Sequence, residues 1–201
     1  MLVEAMRARG VEVDIYTLNS LLKACGAASR VELVLALLKE MRKKRSPAPR
    51  SANSTSISTR DNMAQASTQA RVQTPLPLLL PPPDTVSYNI ALSACARAGK
   101  TSLALSLFDE MLASTEGSGQ GTLAVGEAGE GSIELWPAPR PNLASHNAAL
   151  SACARCAEGD VAEREGLERA FRIFEAMQSG DGGAPSPDLV TYKELVTACG
   201  R

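Results

Sequence analysis

Three asparagines each stand six residues ahead of a cysteine in the same phrase: Asn19 in NSLLKAC (to Cys25), Asn89 in NIALSAC (to Cys95) and Asn147 in NAALSAC (to Cys153). A fourth copy, KELVTAC, ends at Cys199 and carries Lys193 in the asparagine's place. Each copy is announced by an acid or amide, at Asp14, Asp84, Asn142 and Asp188, the last three directly after Pro83, Pro141 and Pro187. A primary amide offers two donor hydrogens and an accepting oxygen in one plane. Repeated at fixed places, such groups suit hydrogen-bonded recognition rather than bond cleavage. Catalytic constellations are missing from the sequence: no Ser–His–Asp set, paired-carboxylate site or metal cluster is visible. His146 fills the slot that Tyr88 and Tyr192 hold elsewhere, which makes it a packing residue. Cys153 and Cys156 form a lone CxxC with no second pair or suitably spaced histidine, so no zinc site is expected. The GSGQG stretch lacks the flanking strand and helix of a dinucleotide fingerprint. No cofactor, metal or small-molecule substrate is expected, and no enzymatic role for this stretch of chain.

Composition narrows the classes. Apolar residues are 44% of the 201, enough for a core, while only 3% are aromatic. The net charge of −1 supplies no global attraction to nucleic acid or to acidic membranes. No apolar run approaches the roughly 20 residues of a membrane-spanning helix. The first residues, MLVEAMRARGVEVD, have no apolar leader core and hold too many acids for an organellar transit peptide. They read as the tail of an earlier repeat, so the chain is expected to be a piece of a longer array. Cys25, Cys95, Cys153 and Cys199 share one place in the phrase, where small thiols pack as weak hydrophobes. A reducing compartment follows more naturally from that placement than a disulfide framework.

The phrases have helical period. Tyr88, Ala91, Leu92 and Cys95 fall at i, i+3, i+4 and i+7, one apolar stripe. After the Gly99 turn, a second stripe follows with Leu103, Ala104, Leu107, Phe108 and Met111. Its counterparts are Val34, Leu37, Leu38 and Met41, and Ala170, Ile173, Phe174 and Met177. Neither helix of such a pair buries its stripe alone, so units must stack. The expected fold is all-α, an α-solenoid of antiparallel helix-turn-helix repeats with disordered inserts. Residues 1–14 are the tail of a preceding repeat. Residues 15–84 form a repeat with a disordered insert at about 45–80, and 85–142 one with a disordered insert at about 114–139. Residues 143–188 form a repeat with a short insert at about 157–166, and 189–201 are a truncated repeat. The first two inserts, rich in Ser, Thr, Pro and Gln or in Gly and Glu, cannot bury enough apolar surface to offset their ordering entropy. The run Arg42-Lys43-Lys44-Arg45 is read as the end of a helix, where cations complement the dipole.

With VSYNIALSACARAGKTSLALSLFDEM and the later RPN in view, the chain resembles the pentatricopeptide repeat family over about half its length. The related tetratricopeptide repeat carries a Trp and a Gly that this phrase lacks, and Trp136 falls in an insert. The resemblance implies recognition of single-stranded RNA, one base per repeat. The family's base-reading pair falls here on Asn19 with Asp84, Asn89 with Asn142, and Asn147 with Asp188. In the family, Asn with Asp favours uracil, and Asn with Asn favours pyrimidines, cytosine above all. The implied preference is therefore uracil–cytosine–uracil from 5′ to 3′. Tyr16, Val86, Ala144 and Val190 match the residues that flank the base, and Arg97, Arg155 and Arg201 recur where they could meet phosphates. The family acts mostly in chloroplasts and mitochondria, where its members process or stabilise RNA. Two alternatives stay open on the residues themselves. An asparagine near a helix start is also a plain cap, and the groove of such a solenoid can take a protein segment, as tetratricopeptide arrays do.

Overall fold

A computed structural model describes residues 5–6, 9–10, 13–44, 80–114, 134–155 and 160–200. Over these residues the chain is a helical solenoid. Helices α1 (Ile15–Ala27) and α2 (Val31–Arg42) form the first unit, α3 (Thr85–Arg97) and α4 (Thr101–Ala113) the second. Helices α5 (Leu143–Ala154) and α6 (Asp160–Ser179) form the third, and α7 (Leu189–Cys199) opens another.

Local chemistry sets the ends. Asp14, Asp84, Asn142 and Asp188 are extended N-caps, each accepting from the backbone N–H three residues on. Prolines immediately before three of them hold the entering chain out of the helical region. The first two units turn alike at the end of their first helix. Arg30 N–H donates to the Cys25 carbonyl at 2.9 Å, and Lys100 N–H to that of Cys95 at 3.0 Å. This six-to-one closure needs a left-handed residue between. Gly99 supplies it at φ +66°, but in the first unit Ser29 must do so at φ +56°.

Packing divides the units into two layers. The first helices α1, α3, α5 and α7 touch in succession, and each second helix packs on its own first helix and on the next unit's. Small residues let the first layer close up. A Cβ built on Gly26 would lie 3.3 Å from the Ala94 Cβ, and Ala91, Ala94, Ala149 and Ala152 are buried. Leu18, Leu22, Tyr88, Leu92, Phe108, Met111, Leu150 and Met177 fill the space between layers. Each large apolar side chain so buried contributes about 1.5–3 kcal/mol. His146 and Tyr192 repeat one contact, edge-on to Phe108 and Phe174 of the preceding unit at 5.0 and 5.4 Å. The Tyr88 hydroxyl and Arg42 Nε, both buried, have no partner among the described residues. The second helices are joined by charge: Glu32 pairs with Lys100, Arg42 with Glu110, and Asp109 with Arg169. The more exposed pairs, Glu32–Lys100 and Asp109–Arg169, contribute little to stability, while Arg42 and Glu110 are largely covered.

Three details differ from the sequence reading. Lys43–Lys44 (β1) pairs antiparallel with Glu134–Leu135 (β2), Lys43 opposite Leu135, and Trp136 N–H donates to the Arg42 carbonyl at 2.8 Å. The expected disordered insert at 114–139 is therefore ordered from residue 134 on, because its returning strand finds the backbone groups left open after α2. Residues 45–79 and 115–133, the bulk of the first two inserts, lie outside the described residues. The third insert at 157–166 is helical from Asp160, so its described part lengthens α6 rather than looping out. Finally, Arg42 does more than cap a helix; its pair with Glu110 ties the first unit to the second.

Substituting Ser29→Gly should relieve the left-handed strain and stabilise the chain by about 1 kcal/mol, the scale of that penalty for an L-residue. Gly99→Ser should cost a similar amount. Urea unfolding of both variants checks the pair, and a destabilised Ser29→Gly would contradict the turn assignment.

Candidate nucleic-acid interface

The fifth residue of α1, α3 and α5 is an asparagine, one turn in from the helix start and half-buried. Stacking brings each of them to the cap of the next unit's first helix. Asn19 Nδ2 donates to Asp84 Oδ1 at 3.2 Å, Asn89 Nδ2 to Asn142 Oδ1 at 3.1 Å, and Asn147 Nδ2 to Asp188 Oδ1 at 3.1 Å. All three pairs that the resemblance implied thus meet directly, across 65, 53 and 41 residues of chain.

The same accepting oxygen also caps its helix. Asp84 Oδ1 takes the Ser87 N–H at 2.8 Å, Asn142 Oδ1 the Ser145 N–H at 3.0 Å, and Asp188 Oδ1 the Thr191 N–H at 2.8 Å. One oxygen therefore holds a helix start and a side chain of the neighbouring unit together. The hydroxyls of Ser87, Ser145 and Thr191 complete the arrangement. They donate to Asn19, Asn89 and Asn147 Oδ1 at 2.6, 2.6 and 2.7 Å. All three hydroxyl residues are fully buried. Sequence reasoning did not single them out, although the signal is plain in retrospect: a Ser or Thr stands three residues after each cap, as in DTVS, NLAS and DLVT. Asp14 and Thr17 make the same cap at the first unit, with a bond of 2.8 Å.

These donors shape the titration of the carboxylates. Burial pushes the Asp84 pKa upward and is the largest single influence. The Ser87 N–H and hydroxyl and the Asn19 amide together outweigh it, leaving the carboxyl below its usual value. Asp188 is likewise lowered, chiefly by the Thr191 N–H and hydroxyl. Both are therefore anionic at neutral pH. His146 is lowered by burial against the opposing effect of its bond to the Asn142 carbonyl, where Nδ1–H donates at 2.9 Å. It is neutral at pH 7 and serves packing.

Around the pairs, Tyr16, Val86, Ala144 and Val190 all sit at the second position of their helices and are exposed. Tyr16 is 78% and Val86 52% exposed, unusual for apolar side chains in a repeated place. Arg97 and Arg155 are exposed at the far end of α3 and just past α5, and the Arg97 guanidinium lies against Gly26 of the preceding unit. Eight residues separate Asn89 from Arg97, about 12 Å along the helix. Arg201 lies outside the described residues. Lys193, in the asparagine's place in α7, is exposed. Among the described residues, no group of three or more His, Cys, Asp and Glu could hold a metal ion.

Two family models match the chain: the PPR repeat at residues 86–114 and the pentatricopeptide repeat domain at residues 1–47. The chain carries pentatricopeptide repeats. No curated protein matches it.

Acid should weaken the fold in two stages. A histidine with a lowered folded pKa binds its proton more readily when unfolded, so stability falls once the pH drops below about 6.5, the unfolded histidine value. The lowered aspartates stabilise the fold above their unfolded pKa of about 3.9 and lose that contribution as the pH falls through their folded values. Thermal melts across pH should show the first stage vanish in His146→Phe. The second should shrink in Asp84→Asn, because Asn142 already performs the same cap. A single transition unaffected by either variant would contradict this account.

Proposed function

We propose that the chain is a sequence-selective single-stranded RNA-binding module that reads one base per unit through Asn19 with Asp84, Asn89 with Asn142, and Asn147 with Asp188. The observation that carries this reading is the bonding state of the three asparagines. Each spends one N–H on the neighbouring cap and one lone pair on a hydroxyl. Each keeps a second N–H and a second lone pair, a donor–acceptor edge of the kind a base presents on its Watson–Crick side. The exposed apolar residues at the second helical position fit a role in flanking a base ring, as they would cover its two faces.

The pairs differ in a way that supports a pyrimidine preference with two readings. In the first and third, the cap's remaining oxygen is an acceptor with negative charge and suits a base that donates, such as uracil at N3. In the second, Asn142 commits its oxygen and keeps an NH₂, which suits a base that accepts there, such as cytosine. Arg97 and Arg155, both exposed, would meet phosphates. The module would belong to an organellar protein of the chloroplast or mitochondrion that processes or stabilises RNA, and no catalytic role is proposed for it. The net charge of −1 favours a second reading, a tetratricopeptide-like scaffold for a protein segment. It leaves unused the donor–acceptor edge that each recurring pair keeps, and partners that survive ribonuclease treatment would be its signature.

Titration against short single-stranded RNAs should show weak, salt-sensitive binding that prefers pyrimidines to polyadenine. Asn89→Ala should remove roughly 1–3 kcal/mol of discrimination at the middle base, the worth of a good base contact. Equal affinity for polyadenine, or an unchanged preference in Asn89→Ala, would defeat base reading.

A further inference from the structure

We propose that Ser87, Ser145 and Thr191 are positioning residues that lock the polarity of the asparagine amide in the preceding unit, and so set which bases that amide can accept. The inference rests on the base-reading proposal and deepens it.

An asparagine amide can turn over by 180° about its last bond, exchanging its oxygen and nitrogen at little intrinsic cost. An amide free to turn could complement a base edge in either order, donor–acceptor or acceptor–donor, and would discriminate poorly. Here a chain of hydrogen bonds starting from the backbone removes the choice. The Ser145 N–H can only donate, so the Asn142 atom that it meets at 3.0 Å is the oxygen. That oxygen can only accept, so the Asn89 atom 3.1 Å away is Nδ2. Asn89 Oδ1 is then directed at the Ser145 hydroxyl. Two oxygens 2.6 Å apart repel unless a proton lies between them, and Oδ1 has none, so the hydroxyl donates. Asn142 N–H donates in turn to the Ser145 oxygen at 3.1 Å, which occupies a lone pair of the hydroxyl and leaves its proton between the Asn89 oxygen at 2.6 Å and the more distant Asn142 Oδ1 at 3.0 Å. The same order holds through Ser87 to Asn19 and through Thr191 to Asn147. Turning any of the three amides over would set its oxygen against the cap's accepting oxygen and leave the hydroxyl proton only that same cap oxygen, 2.9–3.0 Å away, to bond.

The three locks are not equally redundant. In the first and third units the cap is an aspartate, which cannot donate however it turns and so enforces half of the polarity alone. In the second the cap is Asn142, itself an amide, and Ser145 carries more of the constraint. The hydroxyl need not be serine, since Thr191 does the same work in the third unit.

The experiment uses the full chain with Ser145→Ala and Ser145→Thr. Nitrogen-15 spectra of the side-chain amides, taken without RNA, should show the Asn89 NH₂ pair shifted and exchanging faster with solvent in Ser145→Ala, with Asn19 and Asn147 unchanged. Titration with RNAs that vary only the middle base should show the pyrimidine-over-purine preference there fall by roughly tenfold, the scale of one good base contact. Ser145→Thr should restore both readouts. A purely structural serine would lower the melting temperature without altering the preference at one base alone, and that pattern would overturn the proposal. Undisturbed Asn89 resonances in Ser145→Ala would overturn it as well, whatever the RNA does. Disturbed resonances in a chain that shows no base preference even as wild type would support the lock and count against base reading only.

Discussion

The structure depends on one shared acceptor per interface. Asp84, Asn142 and Asp188 each use a single oxygen to satisfy a helix N-terminus and to catch the asparagine of the unit before. Helix starts leave backbone N–H groups unpaired, and an accepting side chain there is worth about 1 kcal/mol to the fold. Borrowing the same atom to orient a neighbour couples stacking to the geometry of the surface. A unit that slipped along its neighbour would lose the cap contact and the asparagine's position together. The buried alanines and Gly26 matter for the same reason, because only small residues let the first helices approach closely enough for a short amide to reach across.

The two layers divide the labour. The layer of first helices is joined by apolar contacts and by part-buried hydrogen bonds that fix directions. The layer of second helices is joined in part by pairs such as Glu32–Lys100 and Asp109–Arg169, which contribute little. Interfaces joined this way in the first-helix layer hold the three asparagines at equivalent places in successive units. Extra chain enters and leaves beside the second helices, where β1 and β2 form their short ladder.

Much of this was legible in the residues. The i, i+3, i+4, i+7 stripes place Leu18, Leu22, Leu92, Phe108, Met111 and Met177, and all are buried. The recurring register showed that the asparagines and the caps occupy equivalent places, while their pairing came from the resemblance to the pentatricopeptide repeat. The ladder of Lys43–Lys44 with Glu134–Leu135 was not legible, since two residues on each side have no period and their partners are far apart in sequence. The helical start of α6 at Asp160 was hidden by its charge: VAEREG looks like a loop until Gly166 is found buried. Ser87, Ser145 and Thr191 were missed for another reason. A hydroxyl after a cap is so ordinary locally that its second bond, to the unit before, shows only in three dimensions.

The most direct test of the account exchanges one atom group at one cap. Asn142→Asp keeps the accepting oxygen and the helix cap while replacing the NH₂ with a second acceptor. Affinities for single-stranded RNAs differing only at the middle of the three read bases should then move from a cytosine to a uracil preference, with the flanking positions unchanged. A preference that stays put, or that shifts at all three positions alike, would contradict the claim that each shared acceptor governs the reading of its own base.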